Sequence, residues 1–150
     1  ILNCVNNMEF FSLSPYKIDP FSLRESLKDS KAGAFASFEG IVRNHNLGSS
    51  VEKLEYEVYP QLAVKEGLMI LEEVKAKFEI IEARAVHRYG QLEIGDLAVW
   101  VGVIAAHRGP AFEACEYTIN TIKKRVPIWK KEYYTTGNSN WIQCHEKPNL

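Results

Sequence analysis

Residues 96–107, "DLAVWVGVIAAH", form a long, nearly uncharged run rich in Val, Ile and Trp, and this run constrains the fold more than any other feature. It is far shorter than the about 20 apolar residues a membrane helix needs, so it belongs inside a soluble core as a strand. The segment before it, "IIEARAVHRYG", has strand character as well, and only the turn "QLEIGD" separates the two. A connection that short joins neighbouring antiparallel strands, because a parallel pair needs a crossover of a dozen residues or more. Hairpins of this kind, rather than βαβ units, organise the chain.

The other segments fit the same plan. "MEFFSLSPY" forms a first strand, and Asp19 followed by Pro20 opens a short helix through "FSLRESLKD". "AGAFASFEGIVR", residues 32–43, is a strand, placed centrally in its sheet, and "NHNLGSS" after it is a polar loop. In "VEKLEYEVY" strict alternation sets Val51, Lys53, Glu55 and Glu57 on one face and Glu52, Leu54, Tyr56 and Val58 on the other. Pro60 begins the longest helix, residues 60–78. Pro110 opens a second, whose stripe of Phe112, Cys115, Ile119, Ile122 and Val126 packs on the sheet. Two short strands, around "WKKEYY" and "NWIQC", complete a single α+β domain over residues 1–150, with a mainly antiparallel sheet and two main helices.

Bulk properties exclude several functions. The formal net charge is −1, so no global field draws the chain to nucleic acid or to a membrane surface, and any anion site must be local. Cys4, Cys115 and Cys144 are odd in number and widely spaced, which suits a reducing cytoplasm. No signal peptide is evident. His45, His87, His107 and His145 do not fall at metal-ligand spacings, so neither a metal nor another cofactor is expected. Nucleophile-elbow, P-loop, dinucleotide and HExxH motifs do not occur.

The available chemistry is therefore that of Lys, Arg and His. "KKRVPIWKK", residues 123–131, packs five cations into nine positions around Pro127 and Trp129. Pro127 ends the preceding helix, since it lacks an N–H and clashes with the carbonyl of Lys123. Cations at a helix C-terminus are ordinary decoration. An indole between lysines should pack inward, however, which would let Lys123 and Lys130 face one pocket from either side of a rigid bend. His107 and Arg108 precede a helix N-terminus, where an anion is favoured. A strand-end arginine paired with a carboxylate is the plainer account of Arg108, and Arg43 after "EGIV" is open to the same reading. His87 and Arg88, inside a strand, are assigned a structural role.

Taken together, "GIVRNHN", "VHRYGQLEIGD", "AAHRGPAFEACEYTINTIKKRVPIWKKE" and the tryptophan at 141 resemble the large, catalytic subunit family of molybdopterin synthase in order and spacing over roughly residues 30–145. The resemblance implies an α/β hammerhead-type fold and a homodimer. Each protomer would bind a small ubiquitin-like sulfur carrier to give a heterotetramer. It also implies a reaction in which the carrier's C-terminal Gly-Gly thiocarboxylate supplies sulfur to cyclic pyranopterin monophosphate, forming the molybdopterin dithiolene. Motif by motif, it places Ile41, Val42, Arg43, His107, Arg108, Lys123, Lys130, Lys131 and Glu132 at the substrate, with Lys123 and Lys130 catalytic. The chain departs from the family's pattern at "WIQCHE", where His145 stands in a region that often carries arginine.

Two other classes compete. A non-catalytic module binding a ubiquitin-like partner would share tail binding but not turnover. An RNA-binding protein using "KKRVPIWKK" as a basic-aromatic patch is disfavoured by the near-neutral charge and by the lack of a further basic stretch.

Overall fold

A computed structural model describes residues 9–46, 48–137 and 139–143. Twelve elements follow in order among them: β1 (Phe11–Ser14), α1 (Pro20–Glu25), β2 (Ala34–Ile41), β3 (His45–Asn46), β4 (Ser49–Val58), α2 (Pro60–Lys77), β5 (Glu82–Arg88), β6 (Gly90–Glu93), β7 (Leu97–Ala105), α3 (Arg108–Arg125), β8 (Ile128–Tyr134) and β9 (Ser139–Gln143). The fold is α+β. Every strand pair is antiparallel except β1 with β5.

The first sheet runs β1-β5-β7-β2. Its centre is the apolar run: Val99, Val101, Val103 and Ala105 on β7 face α2 and α3, and Trp100 and Ile104 face α1. Being buried on both faces, β7 has no polar alternation, as expected of an internal strand. β2 lies at the sheet's edge rather than its centre. Its own alternation is half polar, and Glu39 and Phe38 remain exposed. The helices pack as two 18-residue rods, with Ile70, Leu71 and Val74 of α2 and Cys115, Ile119 and Ile122 of α3 in one core with Phe11. Phe112, placed on the inner stripe by spacing, is 66% exposed, and the buried stripe instead runs through Ala111, Ala114, Cys115, Thr118, Ile119 and Ile122.

Local chemistry sets the helix ends. Asp19 caps α1 by accepting from the backbone N–H groups of Phe21 at 3.0 Å and Ser22 at 3.4 Å. α3 starts at Arg108, two residues before Pro110, because a proline anywhere in the first turn removes only a donor that has no helical partner. It stops at Arg125, where Val126, ahead of Pro127, is extended (φ −74, ψ 127).

The second sheet runs β3-β4-β8-β9, with β6 on the other part of β4. Two segments assigned to loops are thus partly strand: residues 45–46 pair with 49–50, and 90–93 pair with 53–56. The register of β4 against β8 shifts between Val51 and Lys53. This bulge moves Val51 off the face shared by Lys53 and Glu55, and both Val51 (5% exposed) and Leu54 (7%) are buried. A second shift, between Gly40 and Ile41, ends the regular pairing of β2 with β7. A Cβ on Gly40 would sit 2.6 Å from a methyl of Val99, so only glycine permits that approach. Beyond it, Val42 bonds to the 95–96 turn (Val42 N–H to Asp96 O, 2.9 Å), and the chain crosses to the second sheet. The site forms at this junction.

Candidate functional site

Between the sheets, the end of β2 and the end of α3 lies a cavity of about 410 Å³, a size suited to a small molecule or a peptide end. Its floor is apolar, with Val42, Val51, Leu54, Ala98, Val99 and Ile128 among the residues that line it. Arg43, Lys123, Lys130, Glu132, His45, Asn46 and His87 supply polarity.

Lys123 comes from the last turn of α3 and Lys130 from β8, on either side of Pro127, and both line this one cavity. The hinge between them is held by Val126 (4% exposed) and Ile128 (3%). Trp129 lies on the opposite face of β8, half-buried, with its ring edge-on to Tyr59 at 5.1 Å. It braces the outer side of the bend, while its neighbour Ile128 enters the core.

The cations of 123–131 disperse in space. Arg125 turns to α2, bonding Glu66 at 3.0 Å and Glu73 at 2.5 Å. Lys131 lies on the outer face of β8, over the rings of Tyr133 (5.2 Å) and Trp141 (5.5 Å). Strand alternation explains the split, since Lys130 and Glu132 share the cavity face while Trp129, Lys131 and Tyr133 share the other. Arg43, exposed at the rim, adds a guanidinium to Lys123 and Lys130.

Glu132 is the buried anion of the site. Burial by itself would raise its carboxyl pKa, but hydrogen bonds from Tyr134 and Asn46 and the charge of Lys130 outweigh that and hold it below the usual carboxylate range. It therefore stays ionised near neutral pH and, with the exposed Glu39 that also lines the cavity, offsets two of the three cations Arg43, Lys123 and Lys130. One positive charge remains over an apolar floor, which suits an anion.

His87 lines the cavity, though its place in a strand suggested only a structural part. Burial lowers its pKa to about 4, the backbone bond to Arg88 opposes this, and the charge of Lys123 lowers it further. Its Nδ1 lies 2.7 Å from the carbonyl oxygen of Arg88, to which the neutral ring donates. Arg88 itself is structural: its guanidinium pairs with Asp96 at 3.1 Å and braces the turn before β7.

Of the remaining sequence candidates, Ile41 (60% exposed) lies at the cavity mouth and Val42 (3%) in its floor. His107 and Arg108 are exposed at the opposite end of α3 from Lys123. Fifteen helical residues separate Arg108 from Lys123, about 22 Å at about 1.5 Å per residue, so one protomer does not bring them together. Asn46, the last residue of "GIVRNHN" and read only as loop, is a cavity residue that was not singled out. Its partner Glu132 lies 86 residues away. Cys115 is buried on α3, and burial pushes its thiol up to about 11. Cys4, Cys144 and His145 lie outside the described residues. Among the described residues, no three His, Cys, Asp or Glu side chains gather as a metal site. No helix there is long and apolar enough to cross a membrane.

The sequence and the fold of this chain are shared with known proteins. The family model described as MoaE protein matches residues 13–125. A molybdopterin synthase catalytic subunit from Thermoplasma volcanium is 39% identical over 132 residues, covering 88% of this chain and 96% of that protein. One from Pyrococcus abyssi is 42% identical over 130 residues, covering 85% and 87%. The crystal structure of molybdopterin synthase from Staphylococcus aureus superposes with a TM-score of 0.85 at 38% identity, covering 90% of this chain and 98% of that one. The chain belongs to the MoaE protein family.

Proposed function

We propose that the chain is the catalytic subunit of a molybdopterin synthase, a sulfurtransferase of molybdenum cofactor biosynthesis acting in the cytoplasm. It takes sulfur from the thiocarboxylated Gly-Gly terminus of a small ubiquitin-like carrier. It delivers that sulfur to cyclic pyranopterin monophosphate, building the dithiolene. The observation that carries this reading is the convergence of Lys123 and Lys130 on one cavity from either side of Pro127.

The chemistry follows from the surroundings. An extended Gly-Gly tail has no side chains to obstruct entry over the apolar floor. Arg43 and Lys130 meet the anionic ends of tail and substrate, a guanidinium fork being matched to phosphate. Once the carrier's sulfur is bonded to the pterin, Lys123 acts on the acyl carbon: either as an amine that breaks the acyl C–S bond, leaving sulfur on the pterin and a transient amide that water hydrolyses to the carrier's carboxylate, or as a cation stabilising the oxyanion that develops as water does the same. The inert thiol of Cys115 agrees with sulfur arriving on the partner rather than on this chain. In the homodimer that completes the heterotetramer, His107 and Arg108 of one protomer serve the cavity of the other, which resolves their distance from Lys123.

The test supplies wild type, Lys123→Ala and Lys123→Arg with thiocarboxylated carrier and the cyclic pterin, and measures molybdopterin. Lys123→Ala should fold, bind carrier and form almost no product. Substantial turnover by Lys123→Arg would exclude the amide route, because arginine keeps the charge but is no nucleophile. Substantial turnover by Lys123→Ala would remove Lys123 from the mechanism. A binding module without catalysis predicts carrier binding but no product even from wild type.

A further inference from the structure

Glu132 is poorly placed to touch a substrate. Its side chain is 4% exposed. Its Oε1 accepts from Asn46 Nδ2 at 3.0 Å and from Lys130 Nζ at 3.2 Å; its Oε2 accepts from Asn46 Nδ2 at 2.9 Å and from the Tyr134 hydroxyl at 2.7 Å. Three donor groups, the shared Asn46 amide, Lys130 and Tyr134, already occupy the two oxygens of this buried carboxylate, which leaves it little room for a ligand. The other end of the Asn46 amide faces the rim, where its Oδ1 accepts from a terminal nitrogen of Arg43 at 3.4 Å. The amide orientation is unambiguous, because the reverse would set its oxygen against a carboxylate and its NH₂ against a guanidinium.

Resting on the reading of this cavity as the sulfur-transfer site, we propose that Asn46 is a positioning residue: its amide latches the β3 segment to Glu132 on β8 and so holds Arg43 and Lys130 at fixed places on one rim. Glu132 then acts through Lys130 and Asn46 rather than on the substrate. The latch spans 86 residues of sequence and joins two walls of the cavity, adding to the edge pairing of β3 with β4 and the bond from Val51 N–H to Asn44 O. Asparagine is the residue this junction requires, since it presents a donor to the carboxylate and an acceptor to the guanidinium at once. Alanine leaves both without that partner. Aspartate puts a second carboxylate about 3 Å from the first, where two such groups do not both ionise.

Two measurements test this. The first is independent of catalysis: the side-chain amide resonances of Asn46 are followed by NMR in the intact protein across acid pH. They should move with the ionisation of Glu132, and that movement should vanish in Glu132→Gln. Resonances that ignore Glu132 would overturn the latch. The second measures steady-state molybdopterin formation in Asn46→Ala, Asn46→Asp and the swap Asn46→Asp with Glu132→Gln. The groups around the carboxylate are Lys130, Tyr134 and, through the amide, Arg43, and none of them offers Asn46→Asp a replacement donor for Glu132. Loss of one charge-assisted hydrogen bond corresponds to roughly a tenfold effect or more. Asn46→Ala and Asn46→Asp should thus raise KM for the pterin about tenfold with little change in kcat, and the Asp variant should be worse at pH 8 than at pH 6. The swap restores one donor amide facing one carboxylate and should recover most of that loss. A pterin KM of wild-type size in both single variants, or a swap no better than Asn46→Asp alone, would refute the proposal. If the wild-type chain makes no molybdopterin, the proposed reaction fails, while the amide resonances still decide the latch.

Discussion

Replacing His87 by phenylalanine should flatten the acid limb of the stability curve. His87 is 6% exposed, and its folded pKa of about 4 lies below its ordinary value of 6.5. Between these values the unfolded chain holds a proton that the folded chain refuses, so stability rises with pH. The contribution is complete above about pH 6.5 and is lost progressively as pH falls toward 4. From pH 7 to pH 5 the linkage integral for this shift is about 2 kcal/mol. That window lies above the ordinary range of Asp and Glu, whose depressed values at Asp19, Glu73, Asp96 and Glu132 act further into acid. Phenylalanine keeps a ring edge-on to Tyr56, now 5.0 Å from His87. It deprives the Arg88 carbonyl of its Nδ1–H donor, at a cost of about 1 kcal/mol at pH 7. The assay is urea unfolding of both proteins at half-unit steps from pH 7 to pH 5. Wild type should lose about 2 kcal/mol over that interval and the variant should stay nearly level. An equal slope in the two proteins would show that His87 does not titrate as a buried neutral ring.

Three further outcomes are expected. A triple Cys→Ser variant at Cys4, Cys115 and Cys144 that folds should keep most of its sulfur-transfer activity, and near-total loss would sink the idea that sulfur arrives on the carrier. Arg43→Ala should weaken pterin binding in calorimetry roughly ten- to a hundredfold, the effect of one charge-assisted contact of about 1.5–3 kcal/mol, whereas unchanged affinity would remove Arg43 from the substrate. Co-expressed Lys123→Ala and Arg108→Ala chains should recover about a quarter of wild-type activity, because random mixed dimers rebuild one intact site each; activity no higher than either parent would place His107 and Arg108 outside the partner's cavity.

Much of this protein follows from local chemistry in its sequence. Asp19 and Pro20 start α1, Pro60 starts α2 and Pro127 ends α3, because caps and prolines act on the backbone within a turn of themselves. The apolar run through β7 announces a strand buried on both faces. The bend between Lys123 and Lys130 is similarly visible as a proline between two cationic arms. Family membership rests on ordered motifs and was equally legible.

Other features depend on partners remote in sequence. β2 is expected at the centre of its sheet, but the pairing order sets it at an edge, where its half-polar alternation leaves Phe38 and Glu39 exposed. Val51 belongs by parity with Lys53, and a bulge against β8 moves it to the buried face. Five cations that adjoin in sequence separate in space, since strand alternation and the carboxylates of α2 send Lys131 and Arg125 away from the cavity. Asn46 looks like any polar loop residue until the fold sets Glu132 against it. Backbone propensity is settled over a few residues, whereas the environment of a side chain is made by whatever the packed elements bring to it. In this protein the helices and the long strands were determined by the sequence near them, whereas the short strands β3 and β6 and the chemistry of the cavity were decided by tertiary contact.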